Sequence, residues 1–100
     1  MLVAVMVADL LFPGSDSLKD KRRRLAGLTS RVRARFPVSV AEVGLQDLRQ
    51  RGRIGVALVS TDSRLAQSIL DQITDVIGRD GEIEMIDRRI EILQMDDGEP

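Results

Sequence analysis

An α+β sandwich, an antiparallel sheet with two helices on one face, is predicted by three observations on this 100-residue chain. Apolar, Val- and Ile-rich segments start near Leu2, Val38, Arg53 and Glu82, each bounded by turn residues, and read as four strands. Between them, the stretches that begin at Ser17 and Thr61 carry apolar residues at helical spacing. The resulting order is strand, helix, strand, strand, helix, strand. Right-handed connections fold that order into two split β-α-β units, the ferredoxin-like β-α-β-β-α-β sandwich. Strands one and three are central in that arrangement, in keeping with their being the most apolar.

Leu2 to Phe12 is almost continuously apolar and runs into Pro13-Gly14, a strand followed by a turn. Its even positions are wholly apolar and define the core face, whereas the odd set of Val3, Val5, Val7, Asp9 and Leu11 includes a carboxylate. Ser17 with Asp20 forms an S-x-x-D capping box, and Leu18, Leu25, Leu28 and Val32 then share one helical face. The helix ends near Phe36-Pro37, because proline disfavours helical geometry in the residue before it. Val38 to Val43 is the second strand, Gly44 to Gly52 a polar connection, and Arg53 to Ser60 a third strand apolar on both faces. Thr61-Asp62-Ser63 caps a second helix with Leu65, Ala66, Ile69, Ile73, Val76 and Ile77 in phase, ended by Gly78 or Gly81. Glu82 to Leu93 is the last strand. Its apolar phase slips from Ile83 and Met85 to Ile86, Ile90 and Ile92, which predicts a bulge near Asp87 and Arg88. One domain over 1–94 and an acidic, flexible tail over 95–100 are expected.

The net charge of −1 conceals a split. From Ser17 to Arg53, eleven Lys or Arg face only Asp20, Glu42 and Asp47, whereas Ile54 to Pro100 holds four Arg against eleven carboxylates. Such asymmetry points to an anionic partner or to internal neutralisation. The chain has no Cys and no His, which removes disulfides, thiolate metal sites and the side chain most often used for acid–base work near neutral pH. No apolar run reaches about 18 residues, and Met1 to Leu11 lacks a basic n-region, so a cytoplasmic protein with no membrane partner is expected.

The run Pro13-Gly14-Ser15-Asp16-Ser17-Leu18-Lys19-Asp20-Lys21-Arg22-Arg23 resembles the P-G-S-x-S-L-K-D-K-R-R segment of the YlxP-like family of small bacterial proteins. Phe36 to Val43, Gln46 to Arg51, Gly55 to Ser60 and Ile86 to Leu93 also look like that family, so the resemblance extends to Leu93. It implies a ferredoxin-like fold. The family's function is unknown, and its genes often lie among those for translation and ribosome maturation, which implies an RNA-related role by association alone. Where the family often has an aromatic, this chain has Arg49, which argues against base stacking by that loop.

Lys19, Lys21, Arg22, Arg23 and Arg24 crowd the first turns of helix one, where the helix dipole already disfavours cations. With the N–H groups after Ser17 they make a candidate phosphate or carboxylate site, and Arg49, Arg51 and Arg53 form a second cluster. On one surface, the two clusters would track a nucleic-acid backbone, such as that of ribosomal RNA in a ribosomal subunit, with strong salt dependence and little sequence discrimination. Two other readings stand beside it: a solvated face paired internally with Asp71 and Asp75 of helix two, and a site for a small anionic ligand.

The uncovered sheet face presents Val3, Val5, Val7 and Leu11. Base stacking of the RNA-recognition kind is excluded there, because Phe12 and Phe36 are the only aromatics and both lie at element ends. A second subunit, the C-terminal segment or a protein partner is expected to cover the patch, and a homodimer is favoured. No spacing assembles a nucleophile with its base, so no catalytic residue, cofactor or metal is assigned and a non-enzymatic protein is expected. The acylphosphatase pairing of an Arg loop with a water-positioning Asn is impossible without Asn. Asp71 with Asp75, and Glu82 with Glu84, are read as solvated charge rather than cation ligands.

Overall fold

The computed structural model describes residues 1–96. Strict alternation in β1 (Leu2–Leu11) separates two environments: Leu2, Ala4, Met6, Ala8 and Leu10 are buried, and the intervening odd residues are half-buried. Phe12 extends the buried row past the strand. In α1 (Leu18–Arg35), the hydroxyl of the N-cap Ser17 accepts the Asp20 amide at 3.0 Å, and the backbone turns extended at Phe36 before Pro37. β2 (Ser39–Gly44), β3 (Arg51–Ser60), α2 (Ser63–Gly78) and β4 (Glu84–Gln94) complete the predicted order. All strands pair antiparallel in the order β2-β3-β1-β4, so β1 and β3 are central.

Both helices cover the even face of β1. Leu25, Leu28 and Val32 of α1 and Ala66, Leu70, Ile73 and Ile77 of α2 close the core over Ile54, Val56 and Leu58 of β3. Leu65, expected on the buried face of α2, is exposed. It lies about 100° around the helix from Ala66, off the stripe defined by Ala66, Leu70, Ile73 and Ile77. Leu70 fills that stripe instead.

The register of β4 shifts where Asp9 pairs with Asp87 and Leu10 with Met85, which leaves Ile86 as the extra, exposed residue. The bulge therefore begins one residue before the expected place. It converts the inward phase of Ile83 and Met85 into that of Ile90 and Ile92. A second shift in β2, between Glu42 and Gly44, leaves Val43 outside the ladder. The expected acidic tail lies, from residue 97 on, outside the described residues. Among the described residues no helix is long and apolar enough to cross a membrane.

Candidate functional site

Three connections meet at one end of the sheet: the turn from Phe12 to Ser17, the β2–β3 connection from Leu45 to Gln50, and the α2–β4 connection around Asp80 to Ile83. Backbone bonds tie the first two together, Phe12 N–H donating to the Gln50 carbonyl at 2.8 Å. Arg49 adds a guanidinium bond to the Asp16 carbonyl at 3.2 Å. Ser15, Asp16, Leu48, Arg49, Gln50 and Arg51 line an open depression of ≈ 550 Å³ there.

Lys21 departs most from expectation. Expected as a solvent-facing anchor for an anion, its side chain is 1% exposed. Its ammonium donates to the carbonyls of Leu45 at 2.9 Å, Gln46 at 3.4 Å and Leu48 at 2.8 Å, and lies 3.2 Å from a Glu42 carboxylate oxygen. Phe12 packs beneath it, the ring centroid 5.9 Å from Nζ. Leu45 takes a left-handed conformation at φ 59, and its carbonyl belongs to the cage. Gly52 lets this end close, because a Cβ there would come within 2.9 Å of the Phe12 ring. The spacing carries a signal: Leu18, Lys21, Leu25 and Leu28 follow the 3/4 pattern, so Lys21 belongs to the buried stripe.

The remaining α1 cations divide by flank, except Arg35 in the last turn, whose guanidinium lies over the Phe36 ring, 5.3 Å from its centroid, and forms no ion pair with a described residue. On the flank toward the α2–β4 connection, Arg23 donates to Asp20 and Glu82, both at 2.9 Å. Arg24 donates to the Pro13 carbonyl at 2.7 Å and the Glu82 carbonyl at 3.0 Å, and pairs with Asp20. Arg31 pairs with Asp80. Arg23 holds the Asp20 carboxyl below its ordinary value, and Glu82 raises Arg23. Internal neutralisation thus occurs, but through Asp80 and Glu82 rather than the expected Asp71 and Asp75. Asp71 instead accepts from Arg88 of β4 and Gln67, which together lower its pKa. Among the described residues α2 forms no ion pair with α1, because Asp71 is turned toward β4. Glu82, expected as solvated charge, instead shares its carboxylate between Arg23 and Arg24.

On the opposite flank, toward β2, lie Lys19, Arg22 and Arg33, all exposed. Lys19 and Arg22 form no ion pair with a described residue, and Arg33, likewise without one, donates to the Val40 carbonyl. Arg51 is likewise exposed and forms no ion pair with a described residue. Arg53 leaves the cluster altogether: its guanidinium donates to Asp9 at 2.6 Å on the open sheet face, drawing the Asp9 carboxyl below its ordinary value. The reason is register, since Asp9 and Arg53 are direct cross-strand partners. The structure therefore brings Arg49 and Arg51 beside the α1 entry turn, while Lys21, Arg23, Arg24 and Arg53 are committed within the fold. Val3, Val5, Val7 and Leu11 lie half-buried on the open face.

These features define a small ferredoxin-like α+β protein whose first helix carries one basic flank without carboxylate partners among the described residues, and whose helices lie on one side of the sheet. The chain belongs to the family described as "Protein of unknown function (DUF503)", whose model matches residues 3–90. It is 37% identical over 75 residues to "Uncharacterized protein YlxP" of Bacillus subtilis (strain 168), an alignment that spans 75% of this chain and 82% of that protein. Among solved structures it is similar to the "De novo designed protein Foldit4", with a TM-score of 0.54, 13% identity, and coverage of 96% of this chain and 100% of that one. That likeness is one of fold alone.

Proposed function

We propose that the protein is a non-enzymatic factor that holds the phosphate backbone of a structured RNA, such as that of a ribosomal subunit. The contact surface is the β2-side flank of α1, Lys19, Arg22 and Arg33, continued by Arg49 and Arg51. The observation that supports this reading is the division of α1 into a neutralised flank and one whose cations remain without carboxylate partners among the described residues. Organised cations left in solvent along one helix flank, from Lys19 and Arg22 at its entry to Arg33 in its last turn, favour an extended anion over a point ligand. Arg49 and Arg51 give electrostatic contact in place of stacking. Lys21 acts behind this surface, holding the connection that presents them.

The test is RNA binding across a salt series, with ribosomal subunits and ribosomal RNA as ligands. Five phosphate contacts give a slope of log K against log salt of about −4. Arg22→Glu combined with Arg49→Glu and Arg51→Glu is expected to abolish binding with the fold intact. Reversals at Arg23 and Arg24 are unsuitable, because those residues brace the α2–β4 connection. Salt-independent binding, or unchanged affinity in the triple variant, overturns the proposal.

A further inference from the structure

The bare sheet face carries a charge pattern that matches itself. Across β3, β1 and β4 the register gives two adjacent rows, Gly55-Val7-Arg89 and Ala57-Val5-Glu91. The next row is apolar throughout, Val59-Val3-Leu93, with Val59 65% and Leu93 52% exposed. Val43 leans over Gly55, where an added Cβ would lie 3.1 Å from it, and helps line an apolar depression of ≈ 450 Å³ with Val5, Val7 and Ala57. Arg89 and Glu91 are exposed and form no ion pair with a described residue. Two opposite charges of adjacent rows, on one strand and one face, thus flank an apolar centre without pairing with each other or with another described residue.

We infer that a second copy of this chain covers this face, related by a two-fold axis that lies between the sheets, perpendicular to the strands, and passes between the Val7 and Val5 rows. That operation stacks each strand on its own counterpart and exchanges the two rows. Val7 meets Val5 of the partner subunit, and Arg89 meets Glu91 of the partner subunit, twice by symmetry. A two-fold axis parallel to the strands instead lays β4 on β2 and puts Arg89 against Ala41 and Val43, a cation without a counterion over apolar surface. The first operation gives Arg89 and Glu91 counterions; it also lays the row Arg53-Asp9-Asp87 on the partner's Val59, the partner's Val3 and the partner's Leu93, where Asp9 and Arg53 already neutralise each other and Asp87 stays at the rim on the edge strand β4. Strands of 10, 6, 10 and 11 residues, about 4.8 Å apart, present roughly 600 Å² per protomer, on the order of 1,200 Å² in total, the lower end of specific interfaces. The dimer is a helix–sheet–sheet–helix stack. Strand directions reverse across the axis, so the two basic loop ends point to opposite poles.

The experiment is sedimentation velocity of the full chain across roughly 5–200 µM, with Arg89→Glu, Glu91→Arg and an equimolar mixture of the two. The wild type is expected to dimerise, and each single variant to dissociate at least about tenfold more readily, because like charges then meet across the axis. The mixture is expected to dimerise again, since the carboxylate introduced at position 89 of one variant meets the guanidinium introduced at position 91 of the other. Both substitutions are on the surface, and circular dichroism checks that the fold survives. A monomeric wild type, single variants that stay dimeric, or a mixture that stays monomeric each overturns the inference. RNA binding by a wild-type monomer would leave the basic-flank reading standing, so the two fail separately.

Discussion

Replacing Lys21 by Met removes one ammonium and leaves its cage standing. Methionine fills much of the aliphatic space but donates nothing to the Leu45, Gln46 and Leu48 carbonyls or to Glu42. Hydrogen bonds to a charged group contribute about 1.5–3 kcal/mol each, and breaking a buried ion pair costs about 3–5 kcal/mol. Water relieves part of this, since the Glu42 side chain is 23% exposed and Gln46 and Leu48 lie at the surface. The expected net loss is about 3 kcal/mol, which for a domain of this size lowers Tm by roughly 12–24 °C. Urea unfolding at pH 7 reads the loss directly as a lower midpoint at constant slope. A Lys21→Met/Glu42→Gln cycle should show coupling of about 1–2 kcal/mol, because the pair touches. Hydrogen exchange should accelerate first in residues 44–50. A loss below about 1 kcal/mol would refute the claim that the ammonium, rather than the packing of its stem, holds this connection.

Three further outcomes follow from the same geometry. Asp9 is drawn below its ordinary value of 3.8 in the folded state by Arg53. The stability from this pair is complete above that value and is lost as pH falls through the lower folded-state pKa. Acid unfolding of Asp9→Asn, followed from about pH 5 to pH 2, should therefore decline less steeply than that of the wild type. Gly52→Ala drives a methyl group against the buried Phe12 ring and should destabilise by about 1–3 kcal/mol in thermal melts. Arg22→Glu/Arg49→Glu/Arg51→Glu should lose RNA binding while its stability in urea falls by no more than about 1 kcal/mol, the exposed Arg49 bond to the Asp16 carbonyl being the fold contact it removes, which separates contact from folding.

The fold is legible in the sequence because local signals agree. The apolar run of β1 ended by Pro13-Gly14, Ser17, Pro37, and the phase slip in β4 each depend on neighbours a few residues away. The site is legible only as a pool of cations. Which of them are spent depends on contacts across the fold: Asp9 with Arg53 through strand register, Glu82 with Arg23 and Arg24 through the α2–β4 connection. Composition cannot resolve such pairs. The charge of Lys21 draws attention away from its position, although the 3/4 spacing with Leu18, Leu25 and Leu28 already puts it on the inner stripe. Leu65 shows the converse, an apolar residue whose helical angle, not its hydrophobicity, decides its exposure.

The sealed position of Lys21 also governs how this protein can be handled. The chain has two lysines, Lys19 and Lys21, and only Lys19 is exposed. Amine-reactive dyes, biotinylation esters and carbodiimide coupling to a sensor chip therefore reach Lys19 and the α-amino group but not Lys21. Lys19 belongs to the proposed contact flank, so a routine amine immobilisation would block the surface under study and return a false negative. Attachment through a cysteine introduced on the exposed side of α2, in a chain that has none of its own, leaves both the basic flank and the open sheet clear. Enzymatic lysine acetylation is confined in the same way, and mass spectrometry of the folded chain should find it at residue 19 and not at residue 21.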